Sequence, residues 1–122
     1  MPNVEVIFYQ DEKGICPVLK WLDRLPRRIE AKARVRVESL TENGHDLRRP
    51  DADYLRDEIY ELRWRYQSVN YRILYFFHGR TAVVLSHGLT KEDVVPPKEI
   101  DRAIKNKKLF ETNPKTHTFM ME

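Results

Sequence analysis

The spacing of apolar residues switches along the chain between the two-residue period of a strand and the longer period of a helix, and the switches predict the elements. Val4 to Tyr9 is a β-branched and aromatic run, ended by the polar stretch Gln10 to Gly14, and reads as a first strand. Pro17 suits the first turn of a helix in which Val18, Leu19, Trp21, Leu22 and Leu25 recur at helical spacing, until Pro26 interrupts it and opens a second. There Ile29, Ala33, Val37 and Leu40 form the apolar stripe and Gly44 supplies the stop. His45 to Asp57 shows no clear period, carries Pro50 and several Asp and Arg residues, and is expected to be a loop leading into a sheet.

The next segment carries the strongest pattern. Glu58 to Tyr66 alternates, with Tyr60, Leu62 and Trp64 on one side and Ile59, Glu61, Arg63 and Arg65 on the other, so the first side is expected to be core. Gln67 and Ser68 make a turn into a second strand, Val69 to Phe77. A tight symmetric hairpin then sets Arg63 opposite Arg72, Arg65 opposite Asn70 and Trp64 opposite Tyr71, a register that a β-bulge would break. Like charges face each other on a sheet only where solvent screens them or an anion bridges them. Thr81 to Ser86 is almost continuously apolar, which predicts a central strand, and His87 to Lys91 is expected to leave the sheet as a loop. Pro96 and Pro97 open a last helix carrying Ile100, Ala103, Ile104 and Leu109, and residues 115–122 are expected to be a flexible tail. The order describes one small α+β domain over residues 1–122, with helices packed on a largely antiparallel sheet.

Composition narrows the chemistry. A chain of 122 residues with 41% hydrophobic content can bury a core without staples, and a single cysteine, Cys16, excludes an internal disulfide. His45, His78, His87 and His117 show no metal-ligand spacing, so no metal or other cofactor is expected. No apolar run resembles a signal peptide or reaches the length of a membrane span, so a soluble, cytoplasmic protein without a membrane partner is expected. The net charge of +3 is only mildly basic. Its distribution says more: from Leu62 through Lys91 there is no Asp or Glu, while Arg63, Arg65, Arg72, Arg80 and Lys91 fall in the same run beside Trp64, Tyr66 and Tyr71. A sheet face built this way suits polyanionic phosphate.

The element order, together with Tyr60-Glu61-Leu62-Arg63, Tyr71-Arg72-Ile73-Leu74-Tyr75 and Leu85-Ser86-His87-Gly88-Leu89-Thr90-Lys91, resembles the RelE/HigB superfamily of bacterial toxins, and most nearly its phage-derived HigB-like branch. The resemblance runs from about Val4 to Lys108. It implies the toxin of a type II toxin-antitoxin pair: a metal-independent endoribonuclease, or mRNA interferase, that cuts messenger RNA on the ribosome. Its partner would be a small antitoxin protein, expected to carry a helix-turn-helix. Arg63 and Arg72 match positions that face RNA phosphate in that family, and Lys91 matches a basic residue at the edge of the site.

Metal-free RNA cleavage needs a proton acceptor, a proton donor and cations for a doubly charged phosphorane. Arg63 and Arg72 are the expected stabilising cations, His87 the acid or base, and Lys91 a further cation or acid. Arg65 is expected to position RNA, and Tyr66 and Tyr71 to contact it, with bases stacked on Tyr66 or Trp64. Each residue has a plainer reading. Arg65 alone on a strand is usually a solvated side chain, His87 a strand-end histidine satisfied by backbone, Trp64 core, and Lys91 the partner of a surface acid. Two other functions remain open on the same fold: a ParE-like gyrase inhibitor that cuts no RNA, and a catalytically silent RNA-binding regulator.

Overall fold

A computed structural model describes residues 3–90 and 93–120. The described residues form a five-stranded mixed sheet with four α-helices. The strands are β1 (Glu5–Phe8), β2 (Ala52–Arg56), β3 (Ile59–Tyr66), β4 (Val69–His78) and β5 (Ala82–Thr90), and the helices are α1 (Pro17–Asp23), α2 (Arg27–Asn43), α3 (Pro97–Thr112) and α4 (Pro114–His117). Strand order is β1-β5-β4-β3-β2, with β1 parallel to β5 and every other neighbour antiparallel. No helix among the described residues is long and apolar enough to cross a membrane.

Helices cover both faces. One face packs on α1 and α2 through Val18, Leu22, Ile29, Ala33, Leu62, Trp64, Ile73 and Leu85; the other packs on α3 through Ile59, Leu74, Phe76, Val84, Ile100 and Phe110. Being covered twice explains why β4 and β5 read as continuous apolar runs. The β3–β4 register is the expected one, with Arg63 opposite Arg72, Trp64 opposite Tyr71 and Arg65 opposite Asn70. Gln67 and Ser68 close it with φ of 49° and 67°, the positive values that a two-residue hairpin of matching twist requires.

Three expectations are corrected. The segment 45–57 is not all loop, since it contains the edge strand β2, joined to β3 by a second such turn at Asp57 (φ 51°) and Glu58 (φ 69°). Neither turn carries the glycine or asparagine that would have announced it, and Asp53 and Arg56 interrupt the apolar positions of β2. Strand β5 does not stop at Ser86. A bulge sets Leu74 opposite His87 and Tyr75 opposite Leu85, so Ser86 is absorbed as the extra residue and pairing continues to Thr90. Gly88 makes this continuation possible, because a Cβ there would lie 2.1 Å from Cδ2 of Trp21, whose ring packs on the strand. The tail is ordered as far as it is described: α4 carries buried His117, stacked on Tyr9 with ring centroids 5.5 Å apart, and Thr118 bridges Tyr9. On the side of β3 that bears Glu61 and Arg63, Ile59 is buried in one apolar cluster with Ile100, Ala103 and Phe110 of α3.

Candidate functional site

The hairpin register places Arg63 and Arg72 side by side, and an acid lies across them. Glu61, two residues before Arg63 and therefore on the same face, accepts from Arg72 Nε at 2.7 Å through Oε1 and from Arg63 Nη1 at 3.3 Å through Oε2. The expectation of an arginine pair with no acid near it is thus corrected. The acid-free run begins at Leu62, one residue too late to exclude Glu61. Like-charge repulsion across the strands is offset by this internal carboxylate.

The two arginines differ in access. Arg72 is buried, spends Nε on Glu61, and donates Nη2 to the Asp93 carbonyl at 3.0 Å, so its fork is held from two sides. Arg63 is anchored through Nε to the Pro50 carbonyl at 3.0 Å, yet its side chain keeps 31% of its exposure. Both line a cleft of about 360 Å³ that Glu61, Arg49, Arg56 and the start of α3 also border. An adjoining hollow of about 390 Å³ is bounded by Arg36, Arg63, Arg65 and Arg72 with, among the described residues, a single carboxylate, Asp51, which Arg36 meets at 2.8 Å. Four guanidiniums around one small hollow make an electropositive depression suited to phosphate oxygens, which arginine grips with paired N–H donors. Arg65 is exposed there on the same strand face as Arg63. Arg36 was not singled out by the sequence, since α2 carries basic residues along much of its surface. Only the fold shows which of them turns toward the sheet.

The other expected site residues divide. Tyr66 and Tyr71 point to the opposite face of the hairpin, where Tyr71 is buried and stacked on Trp64 with centroids 5.8 Å apart, and this pair also borders the arginine hollow. The Tyr66 hydroxyl accepts from Arg28 at 3.0 Å, and Lys32 sits 5.2 Å over its ring, tying it to α2. Trp64 is core, as its plainer reading held. Lys91 lies outside the described residues.

His87 is placed away from the arginines. It does not open from a loop onto the arginines but is buried in β5 beneath α3. Asn106 Nδ2 donates to Ser86 Oγ at 2.9 Å, Ser86 Oγ is 2.8 Å from His87 Nδ1, and His87 Nε2 is 3.0 Å from Glu99 Oε1. Because Asn106 supplies a proton to the serine oxygen, the serine hydroxyl is free to donate to Nδ1, which places the imidazole proton on Nε2 facing Glu99. Burial first, and the charge of Arg102 second, push the His87 pKa down to about 3, so the ring is neutral.

The family model described as phage derived protein Gp49-like matches residues 20–108, a span that includes every arginine of the cleft and its adjoining hollow. No curated protein matches the chain.

Proposed function

The chain belongs to the phage-derived Gp49-like family, and from that premise we propose that it is the toxin of a type II toxin-antitoxin pair, an endoribonuclease that cleaves messenger RNA on the ribosome without a metal ion. A small antitoxin protein would hold it inactive. The observation that carries the reading is the hollow ringed by Arg36, Arg63, Arg65 and Arg72 beside the Glu61 carboxylate. In such a reaction the 2′-hydroxyl attacks the adjacent phosphate, the bond to the 5′-oxygen of the next nucleotide breaks, that oxygen takes a proton from water, and negative charge gathers on the non-bridging oxygens. Arg63 Nη2, uncommitted among the described residues, and the exposed Arg65 are the donors for those oxygens. Arg72 is the positioning residue that holds Glu61 in the cleft, and Glu61 is the group assigned to accept the 2′-hydroxyl proton.

The withdrawal of His87 beneath α3 favours one second reading, RNA binding without cleavage. Purified translation reactions separate the two. Cleavage of message that persists in chelator and falls about 10²- to 10³-fold in Arg63→Ala is the expected result, the loss typical of removing one donor to a developing oxyanion. Message that is bound and left intact supports the silent regulator, and intact message with relaxed plasmid accumulating in a gyrase assay supports a gyrase inhibitor; either overturns the nuclease.

A further inference from the structure

We infer that the hollow beside β2, walled by His45, Arg48, Arg49, Tyr54 and Tyr60, receives one unstacked nucleobase of single-stranded RNA, with Tyr54 as the stacking surface; this rests on the RNA reading above. The hollow encloses about 540 Å³, within the range of small-ligand sites, and the sequence had marked its walls only as loop and core.

Its aromatic lining is both exposed and held. Tyr54 leaves 48% of its surface open although it is a large aromatic on an edge strand. Its ring meets Tyr60 edge-on at 5.1 Å and 72°, and Tyr60 is in turn stacked on Tyr75 at 5.5 Å and set edge-on against Phe77 at 5.2 Å. The Tyr54 hydroxyl accepts from the Glu58 backbone N–H at 3.1 Å, so the ring is restrained at both ends. His45 stacks on Phe77 at 3.7 Å on another side of the same group. A ring already restrained loses little entropy when a base settles on it.

The cations beside it favour RNA over a protein partner. Arg49 donates to Asp53 through Nε at 3.0 Å and Nη2 at 2.7 Å, which neutralises the carboxylate of this hollow and fixes the guanidinium at its rim. Arg48 is pinned to the backbone carbonyls of His45 and Leu47. An exposed ring sharing a hollow with two anchored arginines suits single-stranded nucleic acid, the base on the aromatic and the phosphates on the cations. Continuity completes the case: Arg49, Asp53 and Tyr54 also border the cleft that holds Arg63 and Arg72. A strand with a phosphate in that cleft would pass directly over β2 into the hollow.

The test compares the binding, by fluorescence anisotropy, of a short 2′-O-methyl oligonucleotide, which cannot be cut, with an abasic oligonucleotide of the same length and charge. Tyr54→Ala should weaken the base-containing strand by about 5- to 150-fold, the range of one base–aromatic stack, leave the abasic strand unchanged, and be rescued by Tyr54→Phe. Equal affinity of the wild type for both strands, or equal loss on both in Tyr54→Ala, overturns the base site; if Arg63→Ala still abolishes binding, the RNA reading survives that failure. Binding of neither strand by the wild type overturns both, and leaves this face to a protein partner.

Discussion

Glu61, Arg63 and Arg72 on β3 and β4, and Ser86, His87, Glu99 and Asn106 between β5 and α3, are two polar clusters on one face of one sheet, and they meet burial in opposite ways. The first brings two guanidiniums and one carboxylate to the rim of a cleft, with Arg63 part-exposed. The second aligns donors and acceptors into a chain with a neutral histidine at its centre and every step satisfied. One cluster still has donors to offer an anion; the other has spent them on itself. A titratable side chain is therefore a poor guide to chemistry until its partners are known, and His87 shows this directly.

The largest expected effect comes from Glu61. Glu61→Gln removes the anion between two guanidiniums, one of them buried, and is expected to destabilise the fold by about 3–5 kcal/mol in urea unfolding, the usual cost of breaking a buried ion pair. Inorganic phosphate should recover more stability in this variant than in the wild type, by replacing the lost charge. A loss below about 1 kcal/mol would show that solvent, and not Glu61, relieves the arginine pair.

The sealed cluster is tested by pH. Because the native His87 pKa is about 3 and the unfolded value about 6.5, the unfolded chain binds a proton between these limits that the native state refuses. Stability from this group is whole above pH 6.5 and is lost as pH falls, at up to about 1.4 kcal/mol per pH unit. Imidazole resonances followed by NMR should show His87 still neutral at pH 4. A midpoint near 6 would mean that the chain under α3 opens to water, and would restore His87 as a proton carrier.

The smallest expected effect sharpens the open cluster. Arg65→Ala should change stability by no more than about 0.5 kcal/mol, as exposed substitutions usually do. It should lower the slope of log affinity for single-stranded RNA against log salt by about 0.7, one phosphate contact. An unchanged slope would remove Arg65 from the interface.

Much of this arrangement was legible in the sequence. The hairpin register was, because alternation and a two-residue turn are enough to pair every residue of β3 with its partner in β4. The helix boundaries at Pro17, Pro26 and Pro97 were legible for a similar reason, since proline cannot continue a helix already begun but readily opens one. Strand β2 was hidden by its polar edge residues and by a turn of Asp57 and Glu58, and its absence concealed the hollow at Tyr54. The second half of β5 was hidden because Ser86, His87 and Gly88 resemble a turn. They form a strand only because Trp21 packs on Gly88 from one side and Asn106 and Glu99 satisfy the polar pair from the other.

The sequence by itself determined that Arg63 faces Arg72 and that Glu61 shares their side, because strand period and loop length are local properties of the chain. The tertiary structure alone decided that Glu61 bridges the pair, that Arg36 joins the hollow, and that His87 is sealed. Those outcomes depend on where α2, α3 and the residues before α3 close over the sheet. Such contacts join positions far apart in the chain, and the burial they impose, not the identity of a side chain, sets which charges remain available to a ligand.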